Sequence, residues 1–339
     1  MADAATRDPE ILTHSRFAVS KGLVTIGIAT VALFIVCAVF ASSSVSPTSL
    51  TNMLQIASVL AVAGLGQMLV VQQGGIDLSV AGAMSLTIVT VTHLPDQDNA
   101  KLLSAVLLAI VFALIAGLVN GVLIGGLGLN AIIATLGTNA LLYGVDLAIS
   151  GGRPRITTSE LQAITGGSLG PVPNAAFFAL LALILVTVLV RRTVPGRRFE
   201  VIGANPRAAR AVGLRVRVHQ GGAYVWAQLL YCGAGLMLAG ITAQPSAFSG
   251  DSFLLISVAV VVLGGTSLLG GRGYPLATVV AAIFLEQLTQ FVFALGVSTA
   301  IQTIVQAAAL AVGVSLYTVD WRAVWNRITG NRRRSPVPA

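Results

Sequence analysis

The chain has 339 residues, of which 55% are hydrophobic and 9% are charged, and its formal net charge is +8. Soluble domains carry about 25% charged residues, and disordered chains combine high charge with low hydrophobicity, so both classes are excluded. Only helices and closed barrels span a bilayer, and barrel strands alternate apolar with polar residues. The uninterrupted apolar runs of this chain therefore predict an all-α, polytopic integral membrane protein.

Ten apolar segments are predicted to be transmembrane helices, because a span needs about 20 mostly apolar residues. They lie near residues 22–42, 51–73, 75–93, 102–125, 129–149, 175–190, 221–243, 252–269, 275–295 and 298–318. We predict three parts of the chain: a cytoplasmic segment at 1–21, a transmembrane domain at 22–318 and a basic cytoplasmic tail at 319–339.

The basic residues predict the orientation of these spans. If the N-terminus is cytoplasmic, 17 of the 20 Lys and Arg residues fall on the cytoplasmic side, and only Lys101, Arg153 and Arg155 fall outside. Cytoplasmic loops of membrane proteins carry the excess of Lys and Arg. Both termini are therefore predicted to be cytoplasmic, and the net charge needs no nucleic-acid partner to explain it.

Several chemistries have no sequence signal. No Gly-Lys-Ser/Thr motif is present, so no phosphate-binding loop is predicted. Cys37 and Cys232 lie in apolar runs, which is typical of small buried hydrophobic residues, and no Cys/His cluster has metal-site spacing. We therefore predict no catalytic, cofactor-binding or metal-binding residue, and a protein that is not an enzyme.

Two acidic residues fall within the predicted spans. An acid at the centre of a span costs roughly 2.5–3.5 kcal/mol, which makes it a candidate functional residue. Asp146 lies near the outer end of its span, so simple access to water is the alternative. Glu286 forms a polar stripe with Gln287 and Gln290, which either faces an aqueous pathway or seals a contact between helices.

The span at 102–125 carries a small residue at every fourth position: Ala109, Ala113, Gly117, Gly121 and Gly125. Such a stripe forms a flat face on which another helix backbone packs closely. We predict that this partner helix belongs to the same chain. The amides of Asn120 and Asn139, in the middle of spans, either line the pathway or support packing.

Two double-glycine motifs interrupt apolar runs, GGIDLS at 74–79 and GGTSLLGGRG at 264–273. Glycine permits tight reversals and broken helices, which transporters use near their pathways. The candidate pathway or packing residues here are Gly74, Gly75, Asp77, Gly264 and Gly265. Both motifs are predicted to lie on the cytoplasmic side.

The longest polar loop between spans, 191–220, contains the segment GANPRAARAVGL at 203–214. Asn205 is a good N-cap, Pro206 suits the first helical position, and Gly213 suits the left-handed position after the last turn. A helix of about seven residues is not stable alone in water. Its apolar residues must therefore dock either on the helix ends of this chain or on a soluble partner; they are Ala208, Ala209, Val212 and Leu214.

These motifs also carry a resemblance. The AAxxxG of 208–213 resembles the cytoplasmic E-A-A-x-x-x-G loop motif of ABC-importer permeases. Four stretches are similar to the monosaccharide (ribose/xylose/arabinose/galactose-type) permease family: QQGGIDLSVAGAMSL at 72–86, NAIIATLGTNALLYGVDLAISGG at 130–152, VIGANPRAARAVGLRV at 201–216 and VVLGGTSLLGGRGYPLATVVAA at 261–282. The chain departs from the family pattern at Arg207, where Glu is usual, and at Tyr143, where Arg is usual.

The resemblance implies the ABC-importer permease fold and transport of a monosaccharide or related polyol across the cytoplasmic membrane. The implied partners are a second permease subunit, expected as a homodimer, two cytoplasmic ATPase subunits that carry the ATP and Mg²⁺, and an extracytoplasmic sugar-binding protein. The residues implied to dock the ATPase are Gly203, Asn205, Pro206, Arg207, Ala208, Ala209, Gly213 and Leu214. Because Arg207 replaces an acid, its own partner is expected to be an acid of the ATPase.

Other functions stay open at this point. The nearest alternative is an ABC permease for branched-chain amino acids or nucleosides, whose spans look similar. An ion-coupled secondary transporter normally needs intramembrane acids or histidines as a relay, and only two acids and no mid-span histidine are available. No acid cluster, Ser–His pair or metal spacing supports a membrane-embedded enzyme.

Overall fold

The computed structural model describes residues 21–298 together with 300, 301, 304, 305, 307 and 308. Within them, seven helices are long and apolar enough to cross a membrane, and two apolar helices are shorter. The prediction of an all-α, polytopic membrane protein is thus confirmed, but the count of ten spans is not reached. Most of the tenth predicted segment, 298–318, lies outside the described residues, as do the two termini.

The elements follow one another in a simple order. The helices are α1 (Lys21–Phe40), α2 (Pro47–Gln72), α3 (Val80–His93), α4 (Leu102–Asn120), α5 (Ala131–Ser150), α6 (Ser159–Leu161), α7 (Asn174–Arg192), α8 (Val194–Ala204), α9 (Pro206–Ala211), α10 (Val216–Thr242), α11 (Phe253–Leu263) and α12 (Pro275–Ala294). The 3₁₀ turns are Ser42–Val45 and Asn99–Lys101, and the π-helical turns are Gly121–Gly126 and Gln162–Gly166. Strands β1 (Ser168–Leu169) and β2 (Val172–Pro173) pair as a small antiparallel hairpin.

Helix α2 is the centre of the bundle. It packs against α7, α10, α11 and α12, and from Ala57 to its C-terminal residue every side chain is buried. Helix α3, which is buried along almost its whole length, packs against α4, α5 and α10. A helix that is hydrophobic all round is a buried helix. The short α3 therefore belongs to the protein core, and α11 is buried in its second half, whereas α1, α4, α5 and α7 present wide apolar surfaces to the outside.

Hydrogen bonds between loops define two ends of the bundle. At one end, the backbone N–H of Gly271 donates to the carbonyl of Gln72 at 3.0 Å. We call this the α9 end, because α8 and α9 lie there. At the other, the hairpin end, Asn99 Nδ2 donates to Ser159 Oγ at 3.0 Å. Successive long helices alternate in direction, so α1 begins at the α9 end and α12 finishes at the hairpin end.

The segment 191–220, predicted to be a polar loop with one short helix, contains a further helix, α8, before α9. The Thr193 side chain caps α8 by accepting a hydrogen bond from Gly196 N–H at 3.1 Å, and Pro195 occupies the first turn. Threonine and proline favour these two positions because they satisfy or remove unpaired N–H groups. Helix α8 packs against the end of α7 and the end of α2.

The small-residue stripe packs α4 and its π-helical extension against α10 of the same chain, as predicted. A Cβ added at Gly117 would lie 2.6 Å from Val225 Cα, and one at Gly121 would lie 2.9 Å from the carbonyl oxygen of Gly221. Ala109 and Ala113, further along the stripe, are buried. The stripe is therefore a packing surface within the chain, where two backbones approach closely.

Candidate functional site

Helix α9 has the capped geometry that its sequence predicts. Asn205 Oδ1 accepts hydrogen bonds from the N–H groups of Arg207 (3.1 Å) and Ala208 (3.0 Å), and Pro206 occupies the first turn. At the other terminus, Gly213 has φ +79° and Leu214 N–H donates to the carbonyl of Ala209 at 3.0 Å. This is the Schellman arrangement, which satisfies the last carbonyls of a helix.

One face of α9 packs on its own chain, and the other face is exposed, so each of the two predicted docking alternatives has a face available. Ala209 is buried and packs with Ile202 and Val216 in a small apolar cluster, with Leu214 beside it. Ala209 thus holds α9 on its own chain and is not part of an outward surface, which corrects its assignment as a partner contact. The opposite face is exposed and consists of Arg207, Ala208, Arg210, Ala211 and Val212. Because successive residues turn by 100°, one short helix serves both faces.

Glu200 of α8 joins three segments at the α9 end. Its carboxylate accepts hydrogen bonds from Nε of Arg272 at 2.5 Å and from Nη1 of Arg191 at 3.4 Å. Arg191 also donates to the carbonyl of Gly273 at 2.6 Å and lies over the ring of Tyr274. The hydrogen bond and charge of Glu200 raise the pKa of Arg272 above its ordinary value. The sequence did not single out Glu200; its one signal is a lone acid among arginines.

The two double-glycine motifs meet at this same end. Gly74 (φ +79°) ends the turn after α2, and Gly265 (φ +84°) ends the turn after α11. A Cβ at Gly74 would lie 3.7 Å from the carbonyl oxygen of Leu269, and one at Gly270 would lie 2.7 Å from that of Gly203. The glycines therefore let the two loops and α8 approach backbone to backbone. Gly75 and Gly264 are enclosed by neighbouring helices in the same region.

A buried hydrogen-bond network follows the first of these motifs. Asp77 Oδ1 accepts hydrogen bonds from the N–H (2.9 Å) and hydroxyl (2.5 Å) of Ser79. Gln228 of α10 donates to Ser79 Oγ at 2.7 Å and to Asp77 Oδ2 at 3.4 Å. Asn120 donates to Ser79 Oγ at 3.0 Å and accepts from Thr138 at 2.6 Å. These five side chains are all buried.

Most of the buried polar groups in this network have hydrogen-bond partners within the chain. Buried polar groups cost free energy unless they are paired, and here the Ser79 hydroxyl donates once and accepts twice. Asn139 similarly accepts from the N–H of Gly82 at 2.8 Å. The hydrogen bonds of Asp77, Asn120 and Asn139 connect α3, α4, α5 and α10 in this structure, while Gln228 Oε1 has no partner among the described residues. Of the two alternatives that the sequence left open, we favour packing, and this stays a prediction.

Asp146 is also buried, so access to water at a helix end does not explain it. Neither of its carboxylate oxygens has a hydrogen-bond partner among the described residues. One turn earlier on α5, the Tyr143 hydroxyl donates to Asp251, which follows α10 at the hairpin end. The structure thus places Asp146 beside a polar corner of the hairpin end.

The residues of the polar stripe on α12 differ in their burial and contacts. Gln287 is fully buried, and its Nε2 lies 3.2 Å from Cys37 Sγ and 3.4 Å from the carbonyl oxygen of Ser44. This side chain supports the contact of α12 with α1. Glu286 is 9% exposed and has no ion-pair partner among the described residues, and Gln290 is half-buried. Both cysteines are free and buried, as the sequence predicts.

The chain matches one protein family over most of its length. The family model described as "Branched-chain amino acid transport system / permease component" covers residues 49–313. No solved structure gives a significant match.

Three of the relatives are 31–33% identical to the chain over the aligned residues. A ribose import permease protein of Escherichia coli K12 is 33% identical over 84% of this chain and 91% of its own length. That of Bacillus subtilis is 32% identical over 84% and 89%. A galactofuranose transporter permease protein of E. coli K12 is 31% identical over 78% and 77%.

The match covers the structure from the first turns of α2 to beyond α12 and leaves out α1 and the 3₁₀ turn Ser42–Val45. The glycine motifs, the capped α9 and the small-residue stripe all fall inside it. The chain therefore belongs to the branched-chain amino acid transport system / permease component family, and within that family it resembles the permeases of monosaccharide ABC importers.

Proposed function

We propose that the chain is the membrane-spanning permease subunit of an ABC importer, which carries a monosaccharide or a related polyol across the cytoplasmic membrane. The observation that supports this most is the length of the similarity to two ribose import permeases, which covers 84% of the chain. The family description itself names branched-chain amino acids, so an amino-acid or nucleoside permease is the second candidate. The named sugar relatives favour the first.

The free energy for transport would come from ATP hydrolysed on separate subunits. Helix α9 is proposed to dock the ATPase through its exposed face, which consists of Arg207, Ala208, Arg210, Ala211 and Val212. Val212, which directly follows α9, is 75% exposed. This exposure is high for a large aliphatic side chain beside a helix that packs on its own chain. An apolar side chain ringed by arginines suits a hydrophobic groove with an acidic rim on a soluble partner.

The remaining parts of the proposal concern orientation and assembly. We assign the α9 end to the cytoplasm, because it carries nine arginines within the described residues: Arg191, Arg192, Arg197, Arg198, Arg207, Arg210, Arg215, Arg217 and Arg272. The hairpin end carries Lys101, Arg153 and Arg155. Positive charge favours the cytoplasmic side. A tenth span after α12 would then return the basic tail to the cytoplasm. A second copy of the chain and an extracytoplasmic sugar-binding protein would complete the importer.

Orientation can be tested with two introduced cysteines. Leu169→Cys lies at the exposed tip of the hairpin, and Val212→Cys lies beside α9. The native cysteines are buried, and labelling of the parent protein measures their background reaction. A membrane-impermeant maleimide added to spheroplasts should label position 169 and should label position 212 only after the membrane is opened. The reverse pattern would overturn the orientation.

The transported class can be tested by uptake. Proteoliposomes that contain the chain, its ATPase and its binding protein would be offered labelled pentoses, hexoses, polyols, leucine and a nucleoside. ATP-dependent accumulation of a sugar or polyol is expected. Accumulation of leucine or the nucleoside alone would support the second candidate. A dependence on Glu286 and on an ion gradient, without ATP, would support a secondary transporter instead.

A further inference from the structure

A groove runs between α7 and α10. Both helices pack against α2, and the space between them holds two cavities of about 810 and 580 Å³. Leu69, Leu189 and Trp226 contribute to the walls of both cavities, so the two lie next to each other along one groove. We call it the α7–α10 groove. It extends from Asn99 and Glu160 at the hairpin end to Thr193 and His219 at the α9 end.

The wall of the groove is almost entirely apolar. Leu181 and Leu185 of α7 are 53% and 59% exposed, and Trp226 of α10 is 50% exposed. In a membrane these surfaces face hydrocarbon, and an empty groove would lose the dispersion contacts that its lining can make. Acyl chains are the apolar groups available at this depth. The length and composition of the groove therefore favour a lipid as its occupant.

The charges at the two ends of the groove differ. On α7, the groove face formed by Leu185 and Leu189 continues to Arg192, because residues three, four and seven apart share a face. On α10, Trp226 and His219 share a face, and the N-cap residue Arg215 precedes His219 by four residues, just beyond the cavity lining.

Two further facts favour anion binding at the α9 end of the groove. Both arginines are exposed, and neither forms an ion pair within the described part of the chain. His219 directs Nδ1 to the carbonyl of Arg215 at 2.9 Å, which leaves its other ring nitrogen for a ligand. At the opposite end the ionisable residue in the groove wall is the acid Glu160.

We propose that the α7–α10 groove binds an anionic phospholipid, with its acyl chains along Leu181, Leu185 and Trp226 and its phosphate between Arg192, Arg215 and His219. Basic pockets between transmembrane helices on the cytoplasmic side suit anionic headgroups. A neutral lipid gains the same apolar contacts but carries no net charge for the two arginines. The site is separate from the exposed face of α9 and does not depend on which solute is transported.

Fluorescence quenching tests the proposal on the full chain. The sequence has three tryptophans, so Trp321→Phe and Trp325→Phe leave Trp226 as the only one. The purified protein would be titrated in mixed micelles with phosphatidylglycerol or phosphatidylcholine that carries brominated acyl chains. Half-maximal quenching by the anionic lipid is expected at a several-fold lower mole fraction than by the neutral lipid. Unbrominated phosphatidylglycerol should compete with the brominated lipid and reverse the quenching.

Matched variants separate charge from packing. Arg192→Ala with Arg215→Ala should raise the half-maximal fraction of the anionic lipid to that of the neutral lipid. Arg207→Ala with Arg210→Ala removes the same charge from α9 and should change nothing. Gly222→Leu should abolish quenching by filling the groove, since a Cβ at Gly222 meets no atom within 4 Å. Gly27→Leu, equally open on α1, is its control.

Two results would overturn the proposal. Equal quenching by both lipids in the parent protein would mean that the groove accepts any acyl chain. No quenching by either would mean that another occupant, such as a helix of a partner protein, fills it. The quenching measurements do not require transport activity. Both of these results are obtained with the parent protein, so they hold even if a variant fails to fold.

Discussion

The carboxylate of Glu200 accepts a hydrogen bond from Nε of Arg272 at 2.5 Å, and this contact joins α8 to the loop that follows α11. Arg191, at the end of α7, approaches the same oxygen at 3.4 Å. Helix α9, one residue beyond α8, is therefore held relative to the bundle by a charged link as well as by apolar packing. In an importer, such a link would carry movement of α9 to the ends of α7 and α11.

Glu200→Gln should weaken this link without unfolding the bundle. Arg272 is 62% exposed, so solvent screening limits the loss in free energy of unfolding to about 1 kcal/mol or less. We expect thermal unfolding in detergent to change little, but protease sensitivity between residues 191 and 215 to rise. Glu160→Gln at the hairpin end is the matched control. Unchanged protease sensitivity in Glu200→Gln would contradict the linking role.

The two faces of α9 predict opposite phenotypes. Ala208→Glu and Val212→Asp change exposed positions, so expression and thermal stability should be retained while co-purification of the ATPase is lost. Ala209→Glu buries an unpaired charge against Ile202 and Val216, which costs several kcal/mol locally and should disturb α9 itself. The comparison uses pull-down of the ATPase together with thermal unfolding. Full ATPase binding by Val212→Asp would show that this face is not the docking surface.

Gly117→Ala should destabilise the contact of α4 with α10. The added methyl group would lie 2.6 Å from Val225 Cα, and overpacking of this kind costs about 1–3 kcal/mol. Gly137→Ala, in a helix where the added methyl group meets nothing within 4 Å, should be neutral or stabilising by about 0.4–1 kcal/mol. Thermal unfolding of both variants in one detergent distinguishes them. Equal midpoints would mean that α4 and α10 do not pack so closely.

Asp77→Ala should destabilise the protein more than Asp77→Asn. The alanine leaves the Ser79 N–H and hydroxyl without their acceptor, and each unsatisfied buried group costs about 1–3 kcal/mol. Asparagine keeps a carbonyl oxygen for the Ser79 N–H. The measurement is the yield of monodisperse protein and its unfolding midpoint. If Asp77→Ala folds normally but loses uptake, Asp77 belongs to the pathway and not to the packing.

Local features of the sequence predicted local features of the structure. The Asn205 cap, the left-handed Gly213 and the small-residue stripe each depend on residues within one helix, whose geometry is fixed by short-range rules. The glycine motifs likewise marked the ends of α2 and α11.

Contacts between distant segments could not be predicted in the same way. Helical spacing indicates which residues share a face, but not whether that face meets the protein's own chain or a partner. The sequence therefore left both alternatives open for the apolar face of α9, and in the structure Ala209 packs against Ile202 and Val216. The pairing of Gln228 with Ser79 and of Glu200 with Arg272 arises from the bundle arrangement. The α7–α10 groove likewise exists only because α7 and α10 share α2 as a neighbour without closing on each other.

ATP-dependent sugar uptake in proteoliposomes tests the central claim most directly. The chain, its ATPase and its binding protein would be reconstituted with labelled ribose, other monosaccharides and polyols, with and without ATP. Accumulation of one of these sugars or polyols is expected only when all three components and ATP are present, and Val212→Asp should abolish it. Uptake by the chain alone, driven by an ion gradient and insensitive to removal of the ATPase, would contradict the account.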